Sequence, residues 1–259
     1  MLRAESVSFG YDGGFTLSDA SVDIAAGSLT GLLGPNGCGK TTLLKLLSGV
    51  LRPRSGRVML GDRVLSSMTR RELARHVASV PQETHPAFDY TVMEMVLMGR
   101  HPHLSAFQLE GPADFEIARQ ALDATGTRHL ADRNYMTLSG GEKQRVVIAS
   151  ALAQSTEVLL LDEPTASLDL GYQLDVASLL ARLNRERNVT MVLATHDLNL
   201  VASLCERLVV MRDGRILAAG PTGDVLTGET VLQLYDVDAD VQFHQRAGHL
   251  TVIPVRRMS

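Results

Sequence analysis

The run Gly34-Pro35-Asn36-Gly37-Cys38-Gly39-Lys40-Thr41 restricts the fold of this 259-residue chain more than any other segment. It fits the phosphate-binding loop pattern GxxxxGK[ST], which works only between a buried strand and a helix. The apolar run Leu29 to Leu33 supplies the strand, and the leucines that follow Thr41 recur at helical spacing. Glycines let the backbone wrap so that successive N–H groups converge on phosphate oxygens, and the helix adds its positive N-terminal end. Lys40 is expected to bridge β- and γ-phosphates and the Thr41 hydroxyl to reach Mg²⁺, with Thr42 and residues 34–39 completing the nucleotide-binding set. The bland reading is a glycine loop between core elements. The flanking strand and helix argue against it.

Two further segments carry chemistry. In Val158 to Pro164, VLLLDEP, apolar residues describe a buried strand that ends in Asp162, where a Mg²⁺ shell needs a carboxylate. Glu163 follows, suited to polarise an attacking water as general base. In Leu138 to Gln144, LSGGEKQ, Ser139 and Glu142 have the spacing of a helix capping box. Capping leaves the paired glycines, Gly140 and Gly141, unexplained, and a helix start of this composition is also a second anion site.

Composition sets the outer bounds. Net charge is −4, so bulk charge gives no support to nucleic-acid binding. Cys38 and Cys205 are too few for a disulfide framework and fit a reducing compartment. No apolar run approaches the ~20 residues of a membrane span, and the first residues lack the apolar centre of a signal peptide.

Periodicity organises the rest. Val7, Phe9 and Tyr11 alternate with small or polar residues, as do Phe15 and Leu17, then Val22 and Ile24, so the first third reads as strands. Between about residues 83 and 137 strand signals fade, and 91–98 and 112–125 carry helical periodicity, an inserted helical lobe. Strand and helix then alternate: strand to 162, amphipathic helix over 170–187, strand to 195, helix over 198–206, and two closing strands around Asp213-Gly214. The tail reads as a short helix near 231–235 and a hairpin over 240–254. Such alternation implies a mostly parallel sheet.

With LSGGEKQ between the phosphate loop and VLLLDEP, the chain resembles the nucleotide-binding subunit of ATP-binding cassette (ABC) transporters. Other positions match that family over nearly the whole length. Tyr11 corresponds to the aromatic residue that stacks on adenine, and Gln82 to the glutamine that contacts Mg²⁺ and couples to membrane subunits. Asp169 matches the D-loop, and His196 the switch histidine that contacts the γ-phosphate. The resemblance implies an ATP hydrolase with ATP and Mg²⁺ as cofactors. The implied fold class is α/β: a P-loop NTPase core with a mostly parallel sheet, an N-terminal antiparallel β subdomain and an inserted α-helical subdomain. The expected ATPase domain covers 1–240, with 83–137 and the signature helix as helical subdomain and 241–259 as a short extension. Two copies are expected to pair head to tail, with ATP between one chain's phosphate loop and the other's Ser139, Gly140 and Gly141. The helical lobe would pass the motion to two integral-membrane permease subunits. That places the chain as a peripheral protein on the cytoplasmic membrane face, with no nucleic-acid partner.

Looser likenesses narrow the branch. TVMEMVLMGRHPH (Thr91 to His103) and LTGETVLQLYDVDADV (Leu226 to Val241) resemble the cassettes of importers for iron-siderophore, haem and cobalamin. Those importers also use an extracytoplasmic substrate-binding protein. An amino-acid, phosphate or efflux cassette and a soluble switch ATPase are the alternatives. His101 and His103, with His85 nearby, read as polar surface, and Asp236, Asp238 and Asp240 as a solvated strand face. Cys205 reads as a small core or helix-surface residue.

Overall fold

The structure is a computed structural model that describes residues 1–12 and 14–258. The chain divides into two units, Met1–Met68 with Thr190–Ser259, and Thr69–Val189.

In the first unit β1 (Leu2–Gly10) and β2 (Thr16–Ile24) pair antiparallel from Leu2↔Ile24 to Gly10↔Thr16. β3 (Leu29–Leu33) and α1 (Lys40–Leu47) follow, and β4 (Ser55–Leu60) and β5 (Arg63–Val64) complete an antiparallel sheet in the order β2-β1-β4-β5. Buried Leu2, Ala4 and Val7 of β1 face the core with Leu17, Ala20, Val22 and Ile24 of β2. The inward series skips at Ser6 and Asp19, whose φ angles of 47° and 49° bulge the strands. Burial falls along the alternating series toward the strand end: Val7 is buried, Phe9 half-buried, and Tyr11 exposed beyond the end of β1.

In the second unit come α2 (Arg70–Leu73), β6 (Val77–Val80), α3 (Val92–Leu97), α4 (Pro112–Ala124), α5 (Gly140–Ala153), β7 (Val158–Asp162) and α6 (Leu170–Arg187). β6 and β7 pair in parallel from Val77↔Val158, and α3 and α4 pack on α5. The MGRHPH stretch is a tight 3-10 turn in which Gly99, Arg100 and His103 each have a structural reason. A Cβ on Gly99 would lie 2.1 Å from the Ser150 carbonyl oxygen of α5, so only glycine fits. Arg100, 6% exposed, donates to Asp114 Oδ1 (3.0 Å), the Ala153 carbonyl (2.6 Å) and Ser155 Oγ (3.3 Å). A ring nitrogen of His103 bonds the Gln154 carbonyl at 2.8 Å.

The chain re-enters the first unit with β8 (Thr190–Thr195), α7 (Leu198–Leu204), β9 (Arg207–Arg212) and β10 (Arg215–Pro221). β3 runs parallel to β8 on one side and β9 on the other, and every residue of β3 and β8 is buried. Such strands read as largely apolar runs, broken here only by small Gly31 and by the buried Thr30, Thr190 and Thr195. Asp213 and Gly214 (φ 50° and 74°) turn β9 into β10 with Arg212 opposite Arg215, the geometry of a type I′ hairpin. Cys205 is buried behind Gly31 of β3, so of its two readings the core position holds.

α8 (Thr222–Val225), which the sequence reading lacked, precedes α9 (Gly228–Tyr235) and a hairpin of β11 (Val237–His244) and β12 (His249–Arg257). The boundary set at residue 240 thus falls inside β11. Asp236 lies on no strand: it ends α9 at φ 54° and pairs with Arg212. Among the described residues no helix is long and apolar enough to cross a membrane.

Candidate active site

The first unit carries the phosphate loop. β3 delivers Gly34, where an added Cβ would lie 2.2 Å from the Met211 carbonyl oxygen. Gly37 and Gly39 take φ 80° and 107°, conformations costly to any side chain. A Cβ on Gly39 would meet the Phe15 ring at 2.5 Å, whereas nothing lies within 4 Å of a Cβ on Gly37, so the loop rim stays clear there. Pro35 is half-buried and Asn36 exposed. The Asp213-Gly214 turn braces the loop from behind: the Gly214 N–H donates to the Cys38 carbonyl at 3.1 Å.

Lys40 opens α1 and is 6% exposed, with Nζ donating to the carbonyls of Gly34 (2.7 Å) and Pro35 (3.2 Å). Its charge is thus held inside the curl of the loop. Gly39 caps α1 with no side-chain hydrogen bond, and the helix's own first turn holds no acid to offset its positive end. Thr41 is exposed, while Thr42 is buried on the inner face of α1. Burial raises the Cys38 thiol above its ordinary pKa, and the side chain points inward.

At the end of β1, Tyr11 is 44% exposed, with its ring edge-on to Phe9 at 5.0 Å. His196 stands exposed where β8 ends, ahead of α7.

The second unit carries the remaining residues. Asp162 closes β7, and Glu163 follows at φ 49° with 9% exposure. A non-glycine residue in that region costs about 1–3 kcal/mol and occurs at sites where the surroundings enforce it. The Ala166 N–H donating to the Glu163 carbonyl at 3.0 Å is one such restraint. Gln82 is exposed just past β6. Asp169 caps α6, accepting from the Tyr172 N–H at 3.1 Å.

Ser139 forms the capping box its spacing suggests: its hydroxyl accepts from the Glu142 N–H (3.3 Å) and the Glu142 carboxylate from the Ser139 N–H (2.8 Å). Those bonds hold the Glu142 carboxyl below its ordinary pKa, chiefly through the Ser139 N–H. Gly141 has a packing reason as well, since a Cβ there would lie 2.3 Å from the Tyr172 ring. Gly140, exposed and meeting only Leu168 at 3.4 Å, has none of that kind.

A family model described as ABC transporter matches residues 17–166. The chain belongs to the ABC transporter family. It is 38% identical over 257 residues to the ferric enterobactin transport ATP-binding protein FepC of Escherichia coli, covering 99% of this chain and 94% of that protein. It is 40% identical over 251 residues to the hemin import ATP-binding protein HmuV of Bordetella pertussis, covering 94% and 95%. Among solved structures, an inward-facing conformation of a metal-chelate type ABC transporter superposes with a TM-score of 0.87. That match has 32% identity and covers 98% of this chain and 97% of that one. The α/β cassette fold and the ATP hydrolase class follow from membership.

Within this ABC cassette, several supporting residues had no sequence signal. Phe15 fills the space under Gly39, Gly214 braces the loop, and Tyr172 packs on Gly141. Each acts across a distance in sequence that periodicity does not report. Glu163's left-handed backbone was equally silent, because no glycine marks it.

Proposed function

We propose that this chain is the ATP-hydrolysing subunit of an importer for a metal chelate (iron-siderophore, haem or cobalamin) that works through two separate membrane permease subunits. The observation that carries the cargo class is the near full-length similarity to siderophore and haem import cassettes. In this reading Tyr11 stacks on adenine, and Gly34, Pro35, Asn36, Gly37, Cys38, Gly39, Lys40, Thr41 and Thr42 enclose the phosphates.

The Thr41 hydroxyl, Gln82 amide and Asp162 carboxylate are hard oxygen donors with a single carboxylate, which fits Mg²⁺, an ion that takes few protein ligands beside substrate phosphates. When bound, Mg²⁺ offsets charge on the β- and γ-phosphate oxygens. Glu163 accepts a proton from water as the water oxygen attacks the γ-phosphorus. The bond from that phosphorus to the β–γ bridging oxygen breaks, and ADP leaves with the electron pair. Lys40 and His196 stabilise the γ-phosphoryl oxygens during transfer.

A second copy contributes Ser139, Gly140, Gly141 and Asp169 to each nucleotide, in a head-to-tail pair. Leu170 and Leu174, 72% and 60% exposed and one turn apart just after Asp169, support an apolar seam at this position. The pair sits at the cytoplasmic membrane face, the helical subdomain meets the permease, and an extracytoplasmic binding protein delivers the chelate. ATP-dependent uptake of labelled ferric siderophore, haem and cobalamin, measured in parallel in cells lacking this chain, tests the cargo. Loss of one, restored by wild type and not by Glu163→Gln, is expected. Normal uptake of all three in the absence of another such cassette contradicts the chelate reading.

A further inference from the structure

The last segments of the chain converge on the main chain around His196, through contacts that belong to none of the nucleotide motifs. Asp197 caps α7, its carboxylate accepting from the N–H groups of Asn199 (2.9 Å) and Leu200 (3.0 Å), while its own N–H donates to Thr195 Oγ1 at 3.1 Å. Two residues on, the Asn199 amide grips β12 twice. Its Oδ1 accepts from the Val252 N–H at 2.8 Å and its Nδ2 donates to the Val252 carbonyl at 3.3 Å, as a neighbouring strand would. Val252 is buried, 3% exposed.

From α9 the Tyr235 hydroxyl donates to the His196 carbonyl at 3.2 Å. α9 is itself fixed: Arg212 of β9 pairs with Asp236 at 3.3 Å and donates to the Gln233 carbonyl. The peptide that carries His196 is thus held from α9, and the helix that follows it from β12. The imidazole itself is exposed.

We propose that α9 and the β11–β12 hairpin form a clamp that sets the position of His196, with Tyr235 and Asn199 as positioning residues acting through it. This rests on His196 serving as the γ-phosphate contact. Small displacements of a catalytic side chain cost rate steeply, because the stabilising bond forms only in the transition state. Releasing the clamp therefore lowers kcat and spares ATP binding, which the phosphate loop carries.

The test uses the full chain with Mg-ATP as Tyr235→Phe, Asn199→Ala and His196→Ala. Val255→Thr, an exposed site on the same hairpin, is the control. Turnover is read together with the ¹³Cε1–¹H NMR signal of the His196 ring, assigned by its loss in His196→Ala. Tyr235→Phe and Asn199→Ala are each expected to shift that signal and lower kcat about three- to tenfold, the factor one neutral hydrogen bond is worth. KM for ATP stays within about twofold, since only transition-state contacts are weakened. Val255→Thr moves neither readout. An unmoved signal with wild-type kcat in both clamp variants overturns the proposal, as does a fall in kcat matched by a rise in KM. Wild-type turnover in His196→Ala is a separate outcome that removes the role of His196 itself.

Discussion

In the proposed mechanism the chemistry turns on Lys40 and Glu163, and their surroundings differ in kind. Lys40 is threaded back into its own loop, where two carbonyls hold the ammonium. Lys40→Ala removes the charge proposed to meet phosphate, and charge-assisted bonds are worth about 1.5–3 kcal/mol, so calorimetry should show ATP affinity falling at least about tenfold. Gly141 makes a different prediction. Its Cβ position is occupied by the Tyr172 ring, so Gly141→Ala forces α5 and α6 apart and costs about 1–3 kcal/mol in thermal unfolding. A melt unchanged from wild type would show that the ring has room to move. Both glycine and lysine were legible from the motif alone. The reason for Gly141 was not, because Tyr172 lies on another helix and nothing local points to it.

Helix starts in the second unit depend on ionised carboxylates. Thr91 with Glu94 and Ser139 with Glu142 form capping boxes, and Asp114 accepts from the Gly111 N–H while pairing with Arg100. These bonds lower the pKa of all three acids, led in each case by a backbone N–H. A carboxyl with a lowered folded pKa binds its proton more readily when unfolded, so its stabilisation is complete above the ordinary carboxylate range and is lost as pH falls through the folded pKa. Thermal midpoints should hold steady from neutral pH down to the unperturbed value of 4.5 for Glu142 and then decline. Glu142→Gln should flatten that acid limb, and an acid limb identical to wild type would contradict the box. Arg100→Ala should be harsher. It leaves Asp114 with the Gly111 N–H alone and takes a charged donor from the buried Ala153 carbonyl, for about 1–3 kcal/mol.

These element boundaries were close to what the sequence suggested, because capping and apolar period are local signals; α6 runs over the same 170–187 as its pattern. The β1 alternation marked a strand correctly, but which of its residues are buried was not legible. Bulges at Ser6 and Asp19 shift the inward phase, and no residue type announces them. The clamp on His196 was illegible for the same kind of reason, being made of Asn199, Tyr235 and a main-chain strand over 50 residues away from Asn199.

At the scale of the whole molecule, the proposed composite site needs two copies for one catalytic event. Mixing Lys40→Ala chains with Ser139→Arg chains should therefore recover ATP binding at one composite site that neither variant forms alone. No recovery in the heterodimer contradicts head-to-tail pairing. The most direct test of the central claim is single-turnover hydrolysis and light scattering of Glu163→Gln with Mg-ATP. General-base removal typically costs about 10²–10⁴ in rate, so the variant should bind ATP, accumulate as a stable dimer and turn over at least about a hundredfold more slowly. Near wild-type turnover would remove Glu163 as the base, and a monomer saturated with ATP would contradict the paired site.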